Sequence, residues 1–165
     1  MRRALRTVLA LVTLVVVALI VSPLALYWVG LHGVERLPTP PKEFASAEQQ
    51  QFVWQQAGGV GESSVKAMNP YVVTLRLFSP LVRRAPSDEL VAWWVASAYL
   101  IEHQRYQGMG SWHLSGTALT IWLSRNWSRE ELMTAGVQAL NRRGLTPLSS
   151  GQAQAALESS AHAER

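Results

Sequence analysis

The chain has no cysteine, which excludes disulfides, thiol nucleophiles and thiolate metal sites, and leaves the compartment unread from redox chemistry. Aspartate is almost missing too: Asp88 is the single one. A paired-aspartate site is therefore impossible, and a Ser-His-Asp triad would have to borrow Asp88, which reads as part of a helix start. G-x-S-x-G, the dinucleotide glycine fingerprint and the phosphate-cradling loop are all absent. Gly58-Gly59-Val60-Gly61 is rich in glycine but lacks the Lys-Ser/Thr that phosphate binding needs. No H-E-x-x-H or comparable ligand spacing occurs, so neither a metal nor a cofactor is expected. A basic stripe is missing as well. Three of the 15 Lys and Arg residues are Arg2, Arg3 and Arg6, and the remaining 12 face 11 acidic residues. The formal charge of +4 thus reports the N-terminus and argues against nucleic acid as a partner.

What is present begins with TVLALVTLVVVALIVSPLALYWVGL, Thr7 to Leu31, a stretch without a charge. At about 1.5 Å per residue it exceeds the roughly 30 Å hydrocarbon core of a bilayer. The lipid bilayer is accordingly the first expected partner. Arg2, Arg3, Arg6 and the free amino group precede the stretch, while Glu35 and Arg36 balance after it, so the positive-inside rule puts the N-terminus in the cytoplasm. Tyr27 and Trp28 fall at the outer headgroup level. A cleaved signal peptide is the rival reading, with small-residue sites ending at Ala18 or Ala25, but its apolar region is usually about 7–15 residues and this one is longer. Arg outnumbers Lys 13 to 2, a bias of GC-rich bacterial genomes. The expected location is a bacterial inner membrane, with the C-terminal domain periplasmic or extracellular.

The length of 165 residues allows one modest domain besides the anchor. The expected division is a cytoplasmic N-terminus over 1–6, a transmembrane anchor over 7–31, a proline-containing linker over 32–45, a helical domain over 46–146 and a disordered tail over 147–165. LPTPP, Leu37 to Pro41, favours an extended semi-rigid spacer. Ser46 with Gln49 forms a capping box that starts a helix, and Gly58-Gly59 stops it. Asn69-Pro70 starts a short helix, although Tyr71 to Phe78 is rich enough in β-branched and aromatic residues for a strand. Ser87-Asp88-Glu89 opens DELVAWWVASAYLIEHQ, apolar around most of its circumference and read as the central helix of the domain; docking on the membrane surface is its other reading. Ser111 caps the following helix, on which His113, Thr117, Thr120 and Ser124 form a narrow polar stripe. Ser128 with Glu131 makes a second capping box, and Arg142-Arg143-Gly144 closes that last helix. The fold class is all-α: one N-terminal transmembrane helix followed by a bundle of four or five helices.

Three candidate clusters for function follow. Trp93, Trp94, Trp112, Trp122 and Trp127 lie on or beside three successive helices, where indoles either fill a core or line a groove that stacks on sugar rings. Trp127, on a helix-to-helix turn, is either a staple onto the next helix or an exposed contact residue, and it is the indole expected to be exposed. With Trp112 and His113 it makes up the candidate binding set. Glu102, His103 and His113 flank one glycine-bearing loop, and their convergence would place a carboxylate beside apolar surface as a general acid. Adjacent helix positions point about 100° apart, so Glu102 and His103 do not share a face. His103 also suits the C-terminal end of a helix dipole.

The run LSRNWSREELM, Leu123 to Met133, resembles the helix segment of the peptidoglycan glycosyltransferases, in which S-K-E-E-I-L precedes Y-L-N. Ser128, Glu130, Glu131 and Leu132 correspond, over about a dozen residues. Glu102 and Tyr106 in IEHQRY echo the family's E-D-x-x-F-x-x-H without its Asp or later His, and Y-L-N and G-G-S-T-I-T-Q-Q are absent. No catalytic role carries over; the resemblance makes peptidoglycan a possible ligand. The expectation is a non-enzymatic envelope component whose helical domain engages a membrane or periplasmic protein, the alternative being a peptidoglycan-binding or transglycosylase-like protein.

Overall fold

A computed structural model describes residues 2–73 and 85–145. They form α1 (Arg2–His32), α2 (Ala47–Gln56), α3 (Ser87–His103), α4 (Met109–Asn126) and α5 (Arg129–Arg142), with one helical turn over 70–73. The expected all-α architecture with a single long apolar N-terminal helix holds, and there is no strand among the described residues. The tail over 147–165 lies outside them, as does all but the first turn of the ambiguous stretch from Tyr71 to Phe78.

The helix starts follow local chemistry. Ser46 accepts from the Gln49 amide and Gln49 returns a bond to the Ser46 amide; Ser128 and Glu131 do the same for α5. Each reciprocal pair satisfies two backbone donors that a helix start leaves orphaned. Asn69 accepts from the Tyr71 amide and Pro70 opens the short turn. α4 departs from expectation. It begins two residues before Ser111, at Met109, with Gly108 as N-cap at φ 107°, a conformation that costs glycine nothing. The Ser111 hydroxyl instead lies against the carbonyls of Tyr106, Gln107 and Gly108 and tightens that turn.

α3 is the central helix. It packs on α4, α5 and α2, burying Val91, Ala92, Val95, Ala96, Ala98 and Leu100, which explains why its sequence is apolar nearly all round. The core continues through Leu119 and Leu123 of α4, Leu132, Met133 and Leu140 of α5, and Val53 and Trp54 of α2. The polar stripe on α4 is mostly interior: the Thr120 and Ser124 hydroxyls are buried and donate to the carbonyls of Gly116 and Ile121 in their own helix. Ser124 also accepts the Met68 amide, so the stripe ties the 63–73 segment to the bundle.

α1 runs unbroken through Pro23 and, from Arg6 to His32, is long and apolar enough to cross a membrane; a signal sequence has the same properties. Its last three turns are packed against α4. Pro23, Gly30 and Gly33 are buried and Tyr27 is half-buried, a spacing that keeps them on one side of the helix. A Cβ on Gly30 would stand 2.6 Å from both the Ala118 Cβ and the Leu114 carbonyl oxygen, and one on Gly33 only 2.1 Å from the Ser115 hydroxyl. Only glycine permits that approach. Beyond the helix, the Glu35 amide donates to the His103 carbonyl and the Arg105 amide to that of Gly33. The proline-containing stretch is laid along the bundle, with Pro38 buried and the Ala45 amide bonded to Thr134.

Candidate functional site

A groove of about 380 Å³ opens between the 36–41 stretch and the paired helices α3 and α5. Val95, Ala98 and Tyr99 of α3, Ala135 and Ala139 of α5, and Trp127 give it apolar surface; Leu37, Pro38 and Pro41 form the opposite wall, and Arg36, His103 and Arg142 bring polarity. The wall exists because proline dihedrals hold the stretch extended while the hydrogen bonds at Glu35 and Ala45 pin its ends.

His103 is held from both sides. Its ring stacks on Tyr99 one turn earlier, centroids 4.0 Å apart and planes 6° from parallel. Nε2 lies 3.0 Å from Arg36 Nη2 and Nδ1 3.1 Å from the Tyr99 carbonyl. Arginine has only donors, so Nε2 accepts and the proton sits on Nδ1, donated to Tyr99. Both nitrogens are therefore engaged within the protein. Glu102 points elsewhere, as the 100° rule requires. Its carboxylate is exposed and meets Arg142 at 3.5 Å, without the apolar wall that the general-acid reading needs.

His113 belongs to a third neighbourhood. It is exposed and stacks against Trp93 at 6.1 Å, while Trp112 meets Trp93 edge-on at 5.3 Å and His113 at 5.0 Å. Glu102, His103 and His113 have separate neighbours: His103 faces Arg36 and Tyr99, Glu102 faces Arg142, and His113 joins two half-buried indoles. Among the described residues no three His, Asp or Glu side chains are placed to hold a metal ion.

Trp127 corrects the expectation of an exposed indole. It is only 8% exposed and sits in the main apolar cluster with Leu132, the two occupying the positions of a hydrophobic staple around the Ser128 cap. Its amide closes the last turn of α4 on the Leu123 carbonyl, so the indole is delivered inward between α4 and α5. The indole nitrogens of Trp127 and Trp54 are buried without a hydrogen-bond partner, a cost accepted for the bulk these rings contribute. Of the seven tryptophans, only Trp28 on α1 is largely exposed.

The residues that carry the glycosyltransferase resemblance have local tasks. Ser128 and Glu131 form the cap. Glu130 bonds Arg129 at 2.8 Å, and that hydrogen bond holds the Glu130 carboxyl below its ordinary range and raises the Arg129 guanidinium. No protein-family model, curated protein or solved structure matches the chain. The sequence reading missed Arg36 and the groove wall, because a proline-rich run reads as a spacer whether or not it packs.

Proposed function

We propose that the chain is a single-pass protein of a bacterial inner membrane, N-terminus in the cytoplasm, whose helical domain is a non-enzymatic envelope component engaging a membrane or periplasmic protein. The observation that carries this reading is that the C-terminal end of α1 packs into the bundle, so an apolar helix long enough to span and a groove belong to one folded unit. The seam is made by Gly30 and Gly33, so the end of α1 belongs to the folded domain. The groove suits a polypeptide: Arg36 and Arg142 favour a carboxylate, and Tyr99, Val95 and the prolines favour the apolar side chain beside it.

The test is a photo-crosslinking amino acid at Gln138, which lines the groove, or at Val60, which is 93% exposed elsewhere. A discrete adduct in cells from position 138 and not from 60 is expected. Equal labelling at both positions, or none beside a folded monomer, sinks the reading. Intact mass gives a separate check, since a mature chain beginning after Ala18 or Ala25 ends the anchor proposal.

A second reading, binding of peptidoglycan glycan, is favoured by the exposed edge of the Trp93, Trp112 and His113 cluster, because half-buried aromatic rings can stack on sugars. Saturable cosedimentation with cell-wall sacculi, lost in Trp112→Ala, is its expected outcome; a folded protein that stays in the supernatant removes it.

A further inference from the structure

The direction of α1 against α4 determines which end of the bundle meets the bilayer. Gly33 lies at Ser115 and Gly30 at Ala118, and Tyr27 is within electrostatic reach of Arg125. The two helices are therefore antiparallel, and the C-terminal end of α4 lies beside the part of α1 that leaves the exposed run. A hydrocarbon core of about 30 Å takes about 20 residues, so a span beginning at Thr7 reaches its far edge near Leu26. Burial against the bundle already starts at Pro23. The last turn of α4 thus falls at the headgroup level of the far leaflet.

The residues there suit that zone. Trp122 is half-buried and Arg125 is exposed, with Nη1 bonded to the Met68 carbonyl at 3.0 Å. Through Met68 the following residues are fastened to the same end, leaving Tyr71 39% and Val72 45% exposed. On α1, Trp28 is 60% exposed beside Tyr27. Aromatic rings with an arginine among them are the composition of a membrane interface, and arginine binds phosphate oxygens in a bidentate fork.

We propose that this end of the bundle is a second, peripheral lipid site: Trp28, Tyr71, Val72 and Trp122 enter the headgroup zone, and Arg125 donates to a lipid phosphate. It rests on α1 crossing the bilayer. A cysteine-free chain makes the test direct. Single-cysteine variants of the full chain at Val12, Val72, Gln107 and Asn126 carry a spin label in vesicles of phosphatidylethanolamine and phosphatidylglycerol, and collisions with oxygen and with a water-soluble nickel chelate report depth. Positions 72, 107 and 126 are solvent-exposed or at a turn, so helicity by circular dichroism should be unchanged. The expected order is position 12 in the hydrocarbon, 72 and 126 at the headgroups with nickel collisions severalfold below those at 107, and 107 in water. α4, with 18 residues, stands about 27 Å tall at 1.5 Å per residue, which separates 126 from 107 clearly. If 72 and 126 are as open to nickel as 107 while 12 is sequestered, the proposal fails and the span survives; if 12 itself is open to nickel, both fail. In Arg125→Gln the label at 126 should move toward water, and an unchanged depth overturns the phosphate contact.

Discussion

From Arg6 to Ser22 every side chain of α1 is exposed, whereas from Pro23 onward the same helix buries one side against α4. Both parts are apolar, so hydrophobicity does not separate them. Side-chain size does. The N-terminal part is dominated by Leu, Val and Ile and contains no glycine, while Gly30 in the C-terminal part and Gly33 just after it meet Ala118 and Ser115, and that combination lets two backbones close up. One helix is thus divided in its surroundings: its N-terminal part presents every side to the medium, and its C-terminal part turns one side into the bundle.

If that division is right, matched substitutions on its two sides must differ. The largest difference is expected for leucine truncation. Leu119→Ala removes a fully buried side chain and should cost about 2–5 kcal/mol in denaturant unfolding of the detergent-solubilised protein. Leu14→Ala, in the exposed run, should leave the midpoint in place; equal losses would mean that both leucines pack alike. Next is enlargement. Gly30→Leu forces atoms into the α1–α4 seam and should cost about 1–3 kcal/mol, against no loss for Ala18→Leu, read by thermal melts followed at the tryptophans.

Hydroxyl deletion gives a smaller contrast. Ser128→Ala leaves the Glu131 amide without its cap and should cost about 1 kcal/mol. Thr13 donates only to the Leu9 carbonyl of its own helix, and Thr13→Ala should be silent in the same assay. The smallest effect is acidification. The folded Glu130 carboxyl is depressed by Arg129, so its contribution is present above the ordinary carboxylate range and is lost as pH falls through the lower folded value. Both partners are half-exposed at the surface, so screening keeps the effect slight. A slight fall in the melting temperature below about pH 4.5, removed by Glu130→Gln, is expected; the helix signal of the N-terminal part of α1 should not follow it, since no titratable side chain lies between Thr7 and Leu26.

What the sequence made legible was local: the capping boxes at Ser46 and Ser128, the central helix from Ser87, and the long apolar helix all depend on residues within a few positions of one another. The start of α4 was misread because Ser111 looks like a cap, while Gly108 fulfils that task through its backbone. Relations across the chain were not legible. Nothing near Gly30 announces Ala118, nothing in LPTPP announces Val95 or Ala139, and the inward turn of Trp127 depends on the packing of α4 against α5. Glu102, His103 and His113 are close in sequence, yet each is directed by a different tertiary neighbour.

The glycine seam also has a consequence for association kinetics. A domain on a flexible tether samples a broad set of heights and orientations above its anchor, and a partner must quench that freedom when it binds. On the function proposed above, part of that freedom is already lost during folding, because the end of α1 packs into the domain that carries the groove. What holds α1 then also restricts the groove, and a partner held by the same support would have less rotational entropy to lose at encounter.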